Sequence, residues 1–232
     1  MPYNDLNIAD NIKKIRESIS EAAVKTGRTA ADIKLVAVTK TQPVDSIRQA
    51  VNANVDAIGE NRVQEMLEKR IHGAYEGAQL HFIGHLQSNK VSKIVGVCDL
   101  IESVSSKSLI ELIGKKAVSM GIVQDILVEV NIGKEPQKSG VMPEQTEELL
   151  SFASENKGVK VLGLMAIPPI INKKVTNCYY YDTMFKLFVD MGTKKYDNVS
   201  VRLLSMGMSD SYIDAIHAGS NMVRIGSALF GV

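Results

Sequence analysis

Lys40 closes the apolar run IKLVAV (33–38), within the stretch LVAVTKTQP (35–43). A strand buried on both faces has no packing reason to finish on an amine. Such an amine attacks carbonyls when nearby cations or a partly dry pocket lower its proton affinity. Two later segments hold residue types that bind anions: LLSMGMSDS (203–211) and MVRIGSALFG (222–231). Glycine lets the backbone approach an anion, a following helix start presents free N–H groups, and serine hydroxyls add donors. Arg224 and Gly226 are two residues apart, so they share a strand face. Taken singly these residues say little. Lysines at strand ends are usually solvated, loop glycines and serines usually make turns, and Arg224 could pair with a carboxylate such as Asp210.

The elements around them bring them together. Eight apolar runs recur: 33–38, 55–59, 80–84, 100–104, 125–132, 159–167, 201–206 and 222–229. Most are continuously hydrophobic, as buried parallel strands are. Helical stripes alternate with them, among them Val44, Ile47, Ala50 and Val51, and later Leu109, Ile110, Ile113 and Ala117 with Ser106 as cap. Parallel strands need such crossovers, and eight units imply a closed (β/α)8 TIM barrel of α/β class, spanning 1–232 as one domain. Ile12, Ile15, Ile19, Ala22 and Ala23 predict an extra N-terminal helix, and residues 168–183 read as a loop. An open doubly wound sheet fits less well, because the first strand runs into TKTQPV and not a GxGxxG turn. In a closed barrel the eighth strand pairs with the first. Lys40 then stands beside Arg224, Gly226 and Ser227, at the end where barrels commonly hold phosphate. A ligand with both an aldehyde and a phosphate answers these features, and pyridoxal 5′-phosphate is the common one.

Other chemistry fades. The chain has 27 basic and 26 acidic residues for a formal net charge of +1, which gives no reason to expect nucleic acid or an anionic membrane and fits a monomer. Cys98 and Cys178 form no CxxC pair, the N-terminus is no signal peptide, and no apolar run approaches the ~20 residues of a membrane span, so the expectation is a cytoplasmic protein. His81 and His85 lie roughly 13 Å apart along a strand, too far for one metal. No Gly-x-Ser-x-Gly elbow or P-loop occurs.

The segments LVAVTKTQP, IGENRVQE (58–65), HFIGHLQSNK (81–90), VNIGKEPQKSG (130–140), GLMAIPP (163–169), LLSMGMSDS and MVRIGSALFG, in this order, resemble the YggS/PROSC family of pyridoxal phosphate homeostasis proteins. The resemblance implies a barrel like the N-terminal domain of alanine racemases, with Lys40 holding the cofactor as a Schiff base. It implies phosphate contacts from Ser205, Gly226 and Ser227, Arg224 facing the pyridine nitrogen, and Asn61 lining the ring. Ser211 departs from the acidic residue usual there, which leaves the pinning of that loop to be explained. The implied role is to buffer or deliver the cofactor, with PLP-dependent apo-enzymes as recipients and no substantial catalysis. Two alternatives stay open: a racemase-like enzyme, and an imine-forming sugar-phosphate aldolase. The racemase is disfavoured because those enzymes draw a second catalytic group from a C-terminal domain, whereas this sequence stops at Val232.

Overall fold

Asn7 caps the first helix, α1 (Ile8–Val24), its side chain accepting the Asp10 N–H at 3.2 Å. In the computed structural model, which describes residues 7–169 and 178–231, α1 buries Ile8, Ile12, Ile15, Ile19, Ala22 and Ala23. Each fully buried isoleucine contributes roughly 1.5–3 kcal/mol, so this stripe fixes α1 on the body of the protein. The strands follow as β1 (Lys34–Val38), β2 (Ala57–Glu60), β3 (Gln79–Phe82), β4 (Leu100–Val104), β5 (Gln124–Val130), β6 (Val159–Ala166), β7 (Val199–Ser205) and β8 (Met222–Ile225). Between and after them come α2 (Val44–Asn52), α3 (Val63–Ile71), α4 (Val91–Ile94), α5 (Lys107–Ser119), α6 (Thr146–Ser154), α7 (Cys178–Thr193), α8 (Tyr212–His217) and α9 (Ser227–Phe230). Ser106 caps α5, accepting the Leu109 N–H at 3.3 Å.

All eight strands are parallel and close in chain order. The closing pair is β1 with β8, where Val36 is level with Arg224 and Ala37 with Ile225. The architecture is therefore the (β/α)8 TIM barrel with a leading helix. Strand side chains divide into two apolar layers. Leu35, Ala37, Ile58, Phe82, Ile101, Val128 and Ile225 face the helices in the larger cluster. Val36, Ala57, Leu100, Leu127, Leu162, Met165 and Met222 fill the lumen. This explains why the runs are continuous and not alternating: both faces are dry. Gly163 marks a register shift between β6 and β7, where a Cβ would lie 1.9 Å from the Leu203 carbonyl oxygen. Only glycine permits that approach.

The loop expected over 168–183 is shorter at its far end, because α7 already begins at Cys178, where Tyr181 and Met184 give it a buried stripe. The rest of that expectation, residues 170–177, lies outside the described residues.

Candidate functional site

β1 ends at Val38, and its continuation is held by polar groups of β2 and α3. The Thr39 N–H donates to the Gly59 carbonyl at 3.0 Å, and its hydroxyl donates to Glu60 Oε1 at 2.6 Å. The Lys69 ammonium of α3 donates to the Thr39 carbonyl at 2.6 Å, to Glu60 at 2.9 Å and to Glu65 at 2.6 Å. Glu65 in turn accepts the Thr41 N–H, and the Tyr75 hydroxyl donates to Glu60 at 3.1 Å. Burial pushes the Tyr75 hydroxyl well above its ordinary pKa, and the Glu60 charge adds to this. Burial alone would raise Glu65, but the hydrogen bonds from Lys69 and Thr41 outweigh it and hold the carboxyl low. Thr41 is held at a φ of 63°, an unfavourable value for a β-branched residue. Strain of this kind costs about 1–3 kcal/mol and persists where surroundings over-determine the backbone.

Lys40 is the residue between these two clamped neighbours. Its own side chain is exposed at the barrel rim, and not in the partly dry pocket expected from sequence. The clamp fixes where the amine starts and leaves the four-carbon stem free to swing.

Across the β1–β8 seam, a Cβ on Gly226 would stand 3.3 Å from both Cβ and the carbonyl oxygen of Val38. Gly226 is the cap of α9, with Ser227 exposed in the first turn. α1 tethers this short helix, since the Asn11 side chain donates to the Leu229 carbonyl at 3.0 Å. The hydroxyl that meets the turn belongs to Ser209, whose Oγ accepts the N–H groups of Gly226 at 3.3 Å and Ala228 at 3.2 Å. Ser205, expected from the resemblance as a phosphate contact, lies deeper in the barrel than this turn. It is level with Met222, four residues below Gly226, or roughly 13 Å at about 3.3 Å per residue. Its Oγ is fully buried between Glu102 Oε2 (2.6 Å) and Arg224 Nη1 (2.5 Å). Ser211 answers its own question: its Oγ accepts the Met208 N–H at 3.3 Å and the Tyr181 hydroxyl at 2.8 Å, so a neutral residue pins the loop.

Arg224 points into the lumen, 4% exposed. Besides Ser205, it donates to the Ala166 carbonyl at 2.9 Å and lies 3.9 Å from Glu102, with no bond to Asp210. Burial lowers its pKa, while Glu102, Glu129 and Tyr181 oppose the shift. Burial pushes the Glu129 carboxyl up to about 7 despite Arg224. Glu102 meets the same burial penalty, but His81, Arg224 and Ser205 outweigh it and keep the carboxyl below its ordinary range. Asn61 follows β2 and is half buried, and its Oδ1 is a buried acceptor with no hydrogen-bond partner among the described residues.

The carboxyl-terminal end of the barrel thus gathers Lys40, Asn61, Gly226, Ser227 and Ser209, with Arg224 beneath. The residues fit a flat ring lined by Asn61, with an anionic arm for the Gly226 turn and a carbonyl for Lys40. Sequence reasoning missed Ser209, the Glu60–Lys69–Glu65 clamp, and the pair Glu102 and His81. A signal existed for Glu102, since a carboxylate interrupts the apolar run LIESV.

The family described as "Alanine racemase, N-terminal domain" matches residues 6–232. A "Pyridoxal phosphate homeostasis protein" of Aquifex aeolicus is 40% identical over 228 residues, covering 97% of this chain and 98% of the relative. A crystal structure of an unknown protein from Bifidobacterium adolescentis superposes with a TM-score of 0.90 at 32% identity, over 97% of this chain and 94% of that one. PipY of Synechococcus elongatus PCC7942, solved with PLP bound, superposes with a TM-score of 0.83 at 28% identity, over 97% of this chain and all of the other. By match along its length and by identity, this chain belongs to the alanine racemase N-terminal-domain family and, within it, to the pyridoxal phosphate homeostasis proteins.

Proposed function

We propose that this protein binds pyridoxal 5′-phosphate at the carboxyl-terminal mouth of its barrel and holds it for delivery to PLP-dependent apo-enzymes. The observation that carries the reading is the β1–β8 closure, which sets an exposed lysine on a clamped backbone next to a glycine-lined turn. The name of the Aquifex relative and the PLP in the PipY structure support it. The cofactor supplies an aldehyde that condenses with an amine, a phosphate dianion and a ring nitrogen. Lys40 would be the amine, forming a Schiff base. The turn at Gly226 and Ser227, with the Ser209 hydroxyl, would receive the phosphate. Asn61 would line the ring, and Arg224 would face the ring nitrogen as a donor that cannot take a proton. A fixed cation there disfavours protonation of the ring and so weakens it as an electron sink, which suits storage better than turnover.

Borohydride reduction of the loaded protein followed by mass mapping tests this. The label should fall on Lys40, and Lys40→Ala should lose both the label and the yellow colour while melting within about 1 kcal/mol of the parent, as exposed substitutions do. A label on another lysine sinks the assignment. Turnover of an amino acid above the rate with free cofactor sinks the carrier reading and favours the racemase.

A further inference from the structure

A continuous chain of hydrogen bonds leads from Arg224 toward the other end of the barrel. Arg224 Nη1 donates to Ser205 Oγ at 2.5 Å, and that hydroxyl donates to Glu102 Oε2 at 2.6 Å. The second oxygen of Glu102 lies 2.7 Å from His81 Nδ1. Exposures along this chain are 4% for Arg224, 0% for Ser205 and Glu102, and 2% for His81. The direction is forced by chemistry. Arginine only donates, so the serine accepts from it and spends its single proton on Glu102. An ionised carboxylate only accepts, so His81 Nδ1 must carry a proton. The atom of the chain left free to gain or lose one is His81 Nε2.

His81 borders a cavity of about 290 Å³ at the amino-terminal face of the barrel, opposite the proposed cofactor mouth. Lys34 of β1, Gln79 of β3, Asp99 beside β4, Asp125 of β5 and Arg202 of β7 share its wall. Two cations and two carboxylates thus line the same cavity as His81, which is bonded to Glu102. Burial raises the Asp125 carboxyl, while Lys160 and Arg202 oppose the rise.

We infer that His81 and Glu102 are positioning residues for Arg224, and that the amino-terminal cavity, not the cofactor mouth, is where their proton enters. The inference rests on the proposed placement of Arg224 against the cofactor ring. A proton on Nε2 strengthens the Nδ1–H bond to Glu102 and draws carboxylate charge away from Ser205 and Arg224. The guanidinium is then less neutralised, and in a dry lumen that change reaches the ring with little screening. Glu129 of β5 and Tyr181 of α7 also act on Arg224, so they share in the field but not in the chain.

The test is the absorption spectrum of the protein loaded with pyridoxal phosphate, followed as a function of pH. Glu129→Gln removes from the titration the carboxyl that acts on Arg224 from outside the chain. In that background a spectral step should remain, His81→Gln should abolish it, and Glu102→Gln should abolish it or move it by about one unit. Glutamine keeps a donor for Glu102 but cannot take a proton. Arg202→Glu changes only an exposed residue at the cavity wall. It should raise the midpoint, since an added anion favours a cation nearby. No step in the parent, or curves for His81→Gln and Arg202→Glu that superpose on it, overturn the inference. Should His81→Gln fail to fold, Arg202→Glu still decides. Arg224→Gln separates the two levels: an unchanged spectrum there removes Arg224 from the cofactor, whereas a changed one with inert His81 and Arg202 variants removes only the relay.

Discussion

The two cations of the mouth are held in opposite ways. Around Lys40 the backbone is clamped, by Lys69 on the Thr39 carbonyl and Glu65 on the Thr41 N–H, and the side chain is exposed. Around Arg224 the side chain is clamped, by Ser205, Ala166 and Glu102, and buried. The difference matches the two tasks proposed for them. A group that forms a covalent bond needs reach and a defined origin. A group that supplies a fixed field needs a fixed plane and a dry surround, where each interaction is stronger.

Breaking the Lys40 clamp should have the largest effect. Lys69→Met leaves Glu60, which is fully buried, with hydroxyl donors from Thr39 and Tyr75 and without its ammonium partner. Removing one member of a buried ion pair costs about 3–5 kcal/mol. The strained Thr41 conformation should relax as well, so trapping of pyridoxal phosphate on Lys40 by cyanoborohydride should slow in the folded fraction. Urea unfolding and the trapping rate measure the two parts. Normal trapping in a destabilised variant would show that Lys69 serves the fold alone.

Glu129 tests the dry surround of Arg224 through pH. Its carboxyl is pushed up to about 7 from an ordinary 4.5, chiefly by burial. The unfolded chain ionises near the ordinary value, so the native state binds the extra proton between the two. The stability this proton contributes is complete below about pH 4.5, fades as pH rises, and is gone above about 7. Glu129→Gln has nothing to lose. It should match the parent in acid and exceed it by about 3 kcal/mol at pH 8, at 1.36 kcal/mol per unit. A gap between the two that is constant with pH would mean that Glu129 is solvated in the native protein.

Arg224→Leu should cost less than Lys69→Met, about 2 kcal/mol, the scale of hydrogen bonds to a charged group. Glu102 keeps His81 and Ser205 as donors, and Glu129 can take up a proton. A loss as large as that of Lys69→Met would mean that the guanidinium is the main counter-charge of the lumen and the imidazole a minor one.

What the sequence revealed follows from how local each signal is. The strand runs, α1, the Ser106 cap and the β1–β8 seam were legible because buried parallel strands write continuous apolar runs, and closure follows from their number. Lys40 and Gly226 stood out as candidates because both sit at run ends. The Lys69 clamp was not, because Glu65 and Lys69 at i and i+4 read as an ordinary surface pair until the fold sets them under Thr39. The different placements of Ser205 and Ser209 were hidden for a related reason. Spacing alone does not show how far the chain climbs after β7, and the two serines of SMGMS end on different levels of the barrel.

That difference in level gives the smallest prediction and the sharpest contrast between lumen and rim. Ser209 meets the Gly226 turn with two N–H groups on its Oγ, so its hydroxyl proton is free for an anion. Ser209→Ala should weaken pyridoxal phosphate about tenfold, near 1.4 kcal/mol, with little change in melting. Ser205→Ala should do the reverse. It removes a bridge between Arg224 and Glu102 that are already 3.9 Å apart, which costs about 1 kcal/mol of stability and leaves phosphate contacts in place. Equilibrium binding and thermal melting of the two variants side by side decide the matter. If affinity falls with Ser205 and not with Ser209, the anion lies deeper than the turn, and the cofactor enters the lumen beside Arg224.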